Sequence, residues 1–133
     1  MVILPFRGLP GTTSFVPRPV VDIGIAHQSA SAVVALCDTG ALHNHFAGWV
    51  ADLIGLDLEG VEGEAIGVGG QHLLARTAVV SLRIGDVEWE APVSFCAPWP
   101  WDYQLLGQEG FFRWFEVTVR AADRELEITP IAA

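Results

Sequence analysis

Basic residues are scarce in this chain. Seven Lys and Arg stand against sixteen Asp and Glu in 133 residues, for a formal net charge of −9. A surface of that sign repels phosphate backbones and anionic headgroups, so neither nucleic acid nor a membrane is an expected partner, and a substrate or partner of basic character is weakly favoured. Cysteine is nearly missing as well. Cys37 and Cys96 are the two present, each inside an apolar strand-like stretch, which reads as a pair of reduced core thiols and excludes a disulfide framework. No apolar run is long enough to span a bilayer. The opening residues Met1–Arg7 lack the basic lead and sustained apolar core of a secretion signal, so a cytoplasmic location is expected. No repeat at solenoid period appears. What the chain does have is apolar mass: 51% hydrophobic residues, 17% charged, with five Trp and seven Phe. That suits one compact domain with a real core, and the aromatic surplus suits a face turned toward a partner subunit.

One stretch organises the rest. Ala32-Val33-Val34-Ala35-Leu36-Cys37 is a short apolar run, β-branched in its middle, that leads directly into Asp38-Thr39-Gly40-Ala41. It reads as a strand buried on both faces and stopped by a turn. Asp38 is then expected at the buried end of a core strand, where a carboxylate loses water and must be neutral or share its charge with a partner. Thr39 brings a hydroxyl that donates and accepts, and Gly40 allows a sharp turn and close approach of another group.

The remaining chain reads mostly as strands. Residues 1 to 19 contain Pro5, Pro10, Pro17 and Pro19 and little regular structure is expected, though Val2 to Phe6 can pair as an edge strand. Val20 to Ala26 alternates, His27 to Ser31 is a polar turn, and the two strands around it make a hairpin that delivers Asp38. Phe46, Trp49, Val50, Leu53 and Ile54 recur at helical spacing, with Asn44 as N-cap and Gly55 as the stop. Glu59 to Glu64 is an acidic loop. Ile66-Gly67-Val68-Gly69-Gly70-Gln71 is a glycine-rich turn, followed by long strands at Leu73–Ile84 and Val87–Phe95 around Gly85-Asp86. Pro98-Trp99-Pro100-Trp101 is stiff and aromatic and cannot lie in a central strand; it either lines a pocket or covers the core. Gln104-Leu105-Leu106-Gly107 is a further core strand end. A short apolar helix is expected over Phe111, Phe112, Trp114 and Phe115, then a closing hairpin of Glu116–Arg120 and Leu126–Thr129.

The apolar strand ending in Asp38-Thr39-Gly40-Ala41, the glycine-rich Ile66–Gln71 segment and the later Leu105-Leu106-Gly107 resemble, in order and spacing, the signature of the retropepsin-like aspartic peptidases. The resemblance covers roughly residues 17 to 130. It implies an all-β fold with one or two short helices, a closed acid-protease barrel contributing one lobe per chain. Residues 1–16 are then an N-terminal segment, at a dimer interface or flexible, and 17–133 the domain. Asp38, Thr39 and Gly40 would be the catalytic turn: Asp38 the acid, Thr39 bonding its counterpart across a two-fold axis, Gly40 accepting from substrate backbone. Val68 and Gly69, with Gly67 and Gly70, would form a flap donating to the substrate, and Ala41 and Leu105 would shape pockets. The chain departs from the viral pattern at Leu42 and Gln108, where an Asp and an Arg usually pair. Both are absent together, which reads as coherent replacement.

Peptide hydrolysis by this route needs two carboxylates sharing one proton around a water. No second Asp-Thr/Ser-Gly exists. Asp22, Asp52, Asp57, Asp86, Asp102 and Asp123 fall on turns, polar faces or the helix. The site therefore calls for Asp38 from each of two chains, a homodimer acting on a peptide or protein substrate, with no cofactor and no metal. Two other readings stay open. A non-catalytic binding or assembly module would keep the same fold, and a small-molecule hydrolase would use His43 and His45, with His72 or a Cys completing a metal site.

Overall fold

The computed structural model describes residues 1–12, 16–25 and 32–131. Twelve strands, one short helix and one π-helical turn make up those residues. In chain order the strands are β1 (Val2–Pro5), β2 (Arg7–Gly8), β3 (Pro17–Arg18), β4 (Val20–Ile25), β5 (Ala32–Cys37) and β6 (Asn44–Ala47). After α1 (Gly48–Leu53) come β7 (Glu64–Val68), β8 (Gln71–Ile84), β9 (Val87–Ala97), β10 (Gln104–Leu106), β11 (Phe115–Arg120) and β12 (Glu125–Pro130). The turn expected at His27–Ser31 lies outside the described residues.

Six strands close on themselves in the order β4-β5-β10-β6-β9-β8, and β4 returns to β8 through Gly24↔Arg83 and Ile25↔Leu82. Closure leaves no bare edge on this barrel, which is how a small all-β domain avoids pairing with strangers. The barrel is mixed: β10 runs parallel to β5, and β6 runs parallel to β9. It is the closed retropepsin-like barrel with two short helical pieces. β7 adds a seventh strand outside, folded against β8 by a two-residue turn in which Gly69 and Gly70 take φ of 55° and 78°. Two successive positive φ values define the hairpin turn that follows strand twist, and glycine reaches them without strain. A separate sheet, β1-β12-β11, joins the chain's two ends. Val2–Pro5 is thus the edge strand the sequence allows.

The core lies inside the barrel and under the terminal sheet. Ile23, Ile25, Phe46, Leu82, Leu106, Phe111, Leu126 and Ile128 are all buried. Each large apolar side chain so buried contributes roughly 1.5–3 kcal/mol. Trp89 bridges barrel and terminal sheet. Its ring meets Phe115 edge-on at 4.8 Å, and its Nε1 donates to the Gly110 carbonyl at 2.9 Å.

Two local expectations are corrected. Asn44 does not cap a helix: residues 44–47 form β6, a strand held by β9 on one side and β10 on the other, and α1 begins only at Gly48 without a side-chain cap. Burial between two strands outweighs the helical spacing of Phe46. Gly55 does follow the helix with a φ of 70°. Nor do Phe111 to Phe115 form one helix. Gln108–Phe112 is a π-helical turn, with the Phe112 and Arg113 amides donating to Gly107 and Gln108 five residues back, and Phe115 already belongs to β11.

The terminal sheet should be an integral part of the folding unit. Leu126→Ala, at a fully buried position of β12, is expected to destabilise by about 2–5 kcal/mol. Val119→Ala, at a half-exposed position of β11, should change stability by no more than about 0.5 kcal/mol. Urea unfolding midpoints for the two variants check the contrast.

Candidate active site

The short strand β10 fixes the geometry around Asp38. Leu106 is in register with Cys37, and one residue further the Asp38 amide donates to the Leu106 carbonyl at 2.9 Å. The chain then turns. The Ala41 amide returns to the Asp38 carbonyl at 3.1 Å, and the Gly40 amide donates to the Asp38 Oδ1 at 2.9 Å. On the far side of the turn the Gln108 and Glu109 amides donate to the carbonyls of Ala41 and Leu42 at 2.9 and 2.8 Å. The Asp38–Leu42 loop is therefore clasped along its length against Leu106–Glu109. Gly107 makes the clasp possible, because a Cβ there would collide with the backbone carbonyls of His43 and Ala41.

Two side chains to which the sequence reading gave no part in the site hold this arrangement. Asn44 is fully buried, and its Oδ1 accepts from the Gly107 amide at 3.0 Å while Nδ2 donates to the Pro92 carbonyl at 3.5 Å. Gln108 donates from Nε2 to the Thr39 carbonyl at 2.7 Å. Where the viral pattern has an Asp–Arg pair, this chain has an amide tied to the loop backbone, a neutral bond in place of a charged one. Nothing in the sequence marked Asn44 for this position, because its neighbours read as helix.

Asp38 itself is half-buried, and Thr39 and Gly40 are exposed. The expectation of a fully buried acid is corrected for the single chain: the barrel strand stops at Cys37, and the turn that carries the carboxylate emerges at the surface. Asp38 opens onto a cleft of about 280 Å³ lined also by Leu36, Val68, Gly69, Trp101, Tyr103 and Leu105. Of the expected substrate-side residues, Val68, Gly69 and Leu105 meet there. Gly67 and Gly70 lie on the same β7–β8 hairpin and do not line the cleft. Ala41 is buried behind it, its carbonyl taken by Gln108. Thr39 borders a separate depression of about 440 Å³ with Gln108, Glu109, Phe112 and Arg113.

The Pro98–Trp101 segment serves both of the roles considered for it. Trp99 packs on the core and donates from Nε1 to the Tyr103 carbonyl at 3.0 Å. Trp101 lines the cleft and meets Trp99 edge-on at 4.9 Å. Trp101 also crowds the hairpin tip, where a Cβ on Gly69 would come within 2.8 Å of its ring.

Histidines and cysteines near the site do not converge on a common point. His43 and His45 stand edge-on with centroids 6.3 Å apart, and His45 Nδ1 lies 3.9 Å from the Cys96 Sγ. Among the described residues no three His, Cys, Asp or Glu side chains are grouped to hold a metal ion. Burial pushes the Cys37 thiol up to about 12 and the Cys96 thiol up to about 11, so both are inert at neutral pH. Burial also lowers the His45 pKa, as does the nearby His43, while the Asp38 charge opposes them.

A closed mixed barrel of six strands, with an Asp-Thr-Gly turn clasped against a second apolar-Gly loop under a hairpin tip, is the retropepsin-like fold. The chain superposes with a TM-score of 0.64 on a retropepsin-like aspartic protease from Rickettsia conorii, at 16% identity over 99% of this chain and 94% of that one. It superposes equally well, at 0.64 and 17% identity, on the retroviral protease-like domain of Ddi1 from Leishmania major, over 89% of this chain and 96% of that one. At such identities the likeness is one of fold. No curated protein sequence matches the chain. The aspartyl protease family profile matches residues 24–109, and the chain belongs to that family.

Two stability predictions arise from these contacts. Asn44→Ala strands the buried Gly107 amide and is expected to destabilise by about 1–3 kcal/mol, read from the urea midpoint. His45 has a folded pKa below its unfolded value of 6.5. Below that value the unfolded chain takes up the proton first, so stability present above pH 6.5 is lost as the pH falls toward the folded pKa. The midpoint should drop between pH 7.5 and pH 5, and by less in His45→Gln.

Proposed function

We propose that the chain is an aspartic endopeptidase that works as a homodimer, with a water held between the Asp38 carboxylates of two copies. The observation that carries this reading is the makeup of the cleft: Asp38 is the one carboxylate on a wall otherwise formed by Leu36, Val68, Gly69, Trp101, Tyr103 and Leu105. A lone half-exposed carboxylate beside an apolar cleft can orient a water. It cannot by itself both remove a proton from that water and polarise a carbonyl. A second copy, related by a two-fold axis, brings the same acid to the same point.

In the paired state the two acids share one proton, because like charges at that spacing do not both ionise. The ionised Asp38 takes a proton from the water as its oxygen bonds to the scissile carbonyl carbon. The protonated Asp38 of the second copy gives its proton to the carbonyl oxygen. Collapse of the tetrahedral intermediate breaks the C–N bond, with a proton passing to the departing nitrogen. The β7–β8 hairpin is the flap in this reading. Its Gly69-Gly70 turn leaves backbone amides free to bond an extended peptide, and Trp101 and Leu105 supply apolar walls for side chains beside the cut. Exposed Thr39 and Gly40, and the depression that Thr39 shares with Phe112 and Arg113, suit contact with a second copy.

Cleavage of a mixed peptide library, followed by mass spectrometry from pH 4 to pH 8, tests the proposal. Activity should decline on the alkaline side as the shared proton is lost. Asp38→Asn should reduce kcat/KM by at least about 10³-fold with the dimer intact. Dilution through the dimer dissociation constant should abolish turnover while the barrel stays folded. Cleavage that survives Asp38→Asn would remove that residue as catalyst. A well-formed dimer that cleaves nothing at any pH would instead assign the fold to binding or assembly. Trp101→Ala should widen the cleft and move library preference toward larger apolar residues, with Asp38 chemistry retained.

A further inference from the structure

A second cavity is larger than the Asp38 cleft. It is a groove of about 720 Å³ between α1, the Leu56–Val61 loop and strands β8 and β9. Its size is in the range of a ligand pocket. Two features of its walls are chemically specific. Trp49 is 52% exposed and Leu74 is 40% exposed, and with Trp99 they present apolar and aromatic surface to the groove. Asp52, Asp57 and Glu59 line the same groove against one cation, Arg76, whose Nε donates to the Val61 carbonyl at 3.2 Å. The ion pairs among the described residues involve Asp22, Glu109, Glu125 and Glu127, and none of the three groove carboxylates. Apolar walls with a net negative rim complement a segment that alternates apolar and basic side chains.

The groove and the cleft are neighbours through one aromatic contact. Trp99 borders the groove, Trp101 borders the cleft, and the two rings touch. Both pack on the small cluster of Leu73, Ala75 and Cys96, as does Val68 of the hairpin tip. Trp101 and Trp99 thus present neighbouring aromatic surfaces, one to the cleft and one to the groove. We infer that the groove is an exosite for the substrate itself, taking a basic and apolar segment of the chain being cleaved. The inference rests on the endopeptidase reading for the identity of the occupant, though the groove's chemistry stands apart from Asp38.

The test uses the full chain carrying Asp38→Asn, so that hydrolysis plays no part in the readout, with the capped peptide Leu-Arg-Leu-Arg-Leu as probe. Saturable binding of one peptide per chain is expected, with NMR shifts at the Trp49 and Trp99 indoles and none at buried Trp89. The peptide with Glu in place of Arg should not bind. Adding Asp52→Asn and Glu59→Gln should weaken binding roughly fivefold or more. Asp57 is left in place because its Oδ1 accepts the Glu59 amide at 2.8 Å. Raising salt should weaken binding in the parent and have less effect in the substituted chain. In the wild-type enzyme, appending the probe sequence to a cleaved library peptide should lower KM with kcat unchanged, and the same groove substitutions should cancel that gain. No binding, equal binding of the Glu peptide, shifts confined to Trp101, or self-association through Trp49 would each overturn the exosite. Binding without any wild-type cleavage would overturn the catalytic reading and, with it, the substrate as occupant.

Discussion

A three-residue strand holds this molecule's chemistry in place. β10 is only Gln104, Leu105 and Leu106, yet it pairs parallel with β5 and antiparallel with β6, and all three residues are buried. Its backbone thus bonds on both sides within the barrel wall, and a shift of register on either side would misplace the Asp38 turn. Side chains at and around the strand extend the same function. Gln104 accepts the Ala47 amide at 2.7 Å, fixing the step from β6 into α1. Asn44 accepts the Gly107 amide, and Gln108 reaches the Thr39 carbonyl. These three neutral amides lie within one small region and satisfy backbone groups that a strand crossing of this kind leaves without ladder partners.

Much of the fold was legible because its longest elements carry local patterns. The β8–β9 hairpin announces itself by alternation and by Gly85-Asp86, and the β7–β8 turn by two adjacent glycines. The run from Ala32 to Asp38 shows both a buried strand and its end. What escaped was structure whose cause is distant in sequence. Residues 44–47 become a strand because Val93–Cys96 and Leu105 lie alongside. Four residues carry no period of their own, so Phe46 was drawn into the helical spacing of Val50 and Leu53. Phe115 was likewise drawn into a helix with Phe111 and Phe112, although it pairs with Pro130 at the start of β11.

The sequence named the residues of the candidate site more readily than their surroundings. Asp38, Val68, Gly69 and Leu105 line one cleft. Gln108 could be seen as a departure from that pattern, but its bond to the Thr39 carbonyl could not. The exposure of Asp38 was also out of reach. A strand that is buried to its last residue says nothing about which side of the barrel wall the following turn will take.

Half-exposure of that acid bears on when the proposed chemistry could operate. A second copy seated on that turn would complete the burial of Asp38 and place its twin alongside, and neighbouring carboxylates share a proton more readily in acid. Each copy carries a formal charge of −9, so association also becomes easier as carboxylates are protonated. Both effects favour acid. His45 opposes them: it lies in β6 opposite Leu105, beside His43, and burial disfavours its charged form. Protonating it on the way down in pH lowers the stability of the fold that carries β10 and Asp38. In the proposed dimer, loss of the shared proton would bound activity on the alkaline side, while on the acid side the fold itself loses stability as His45 is protonated.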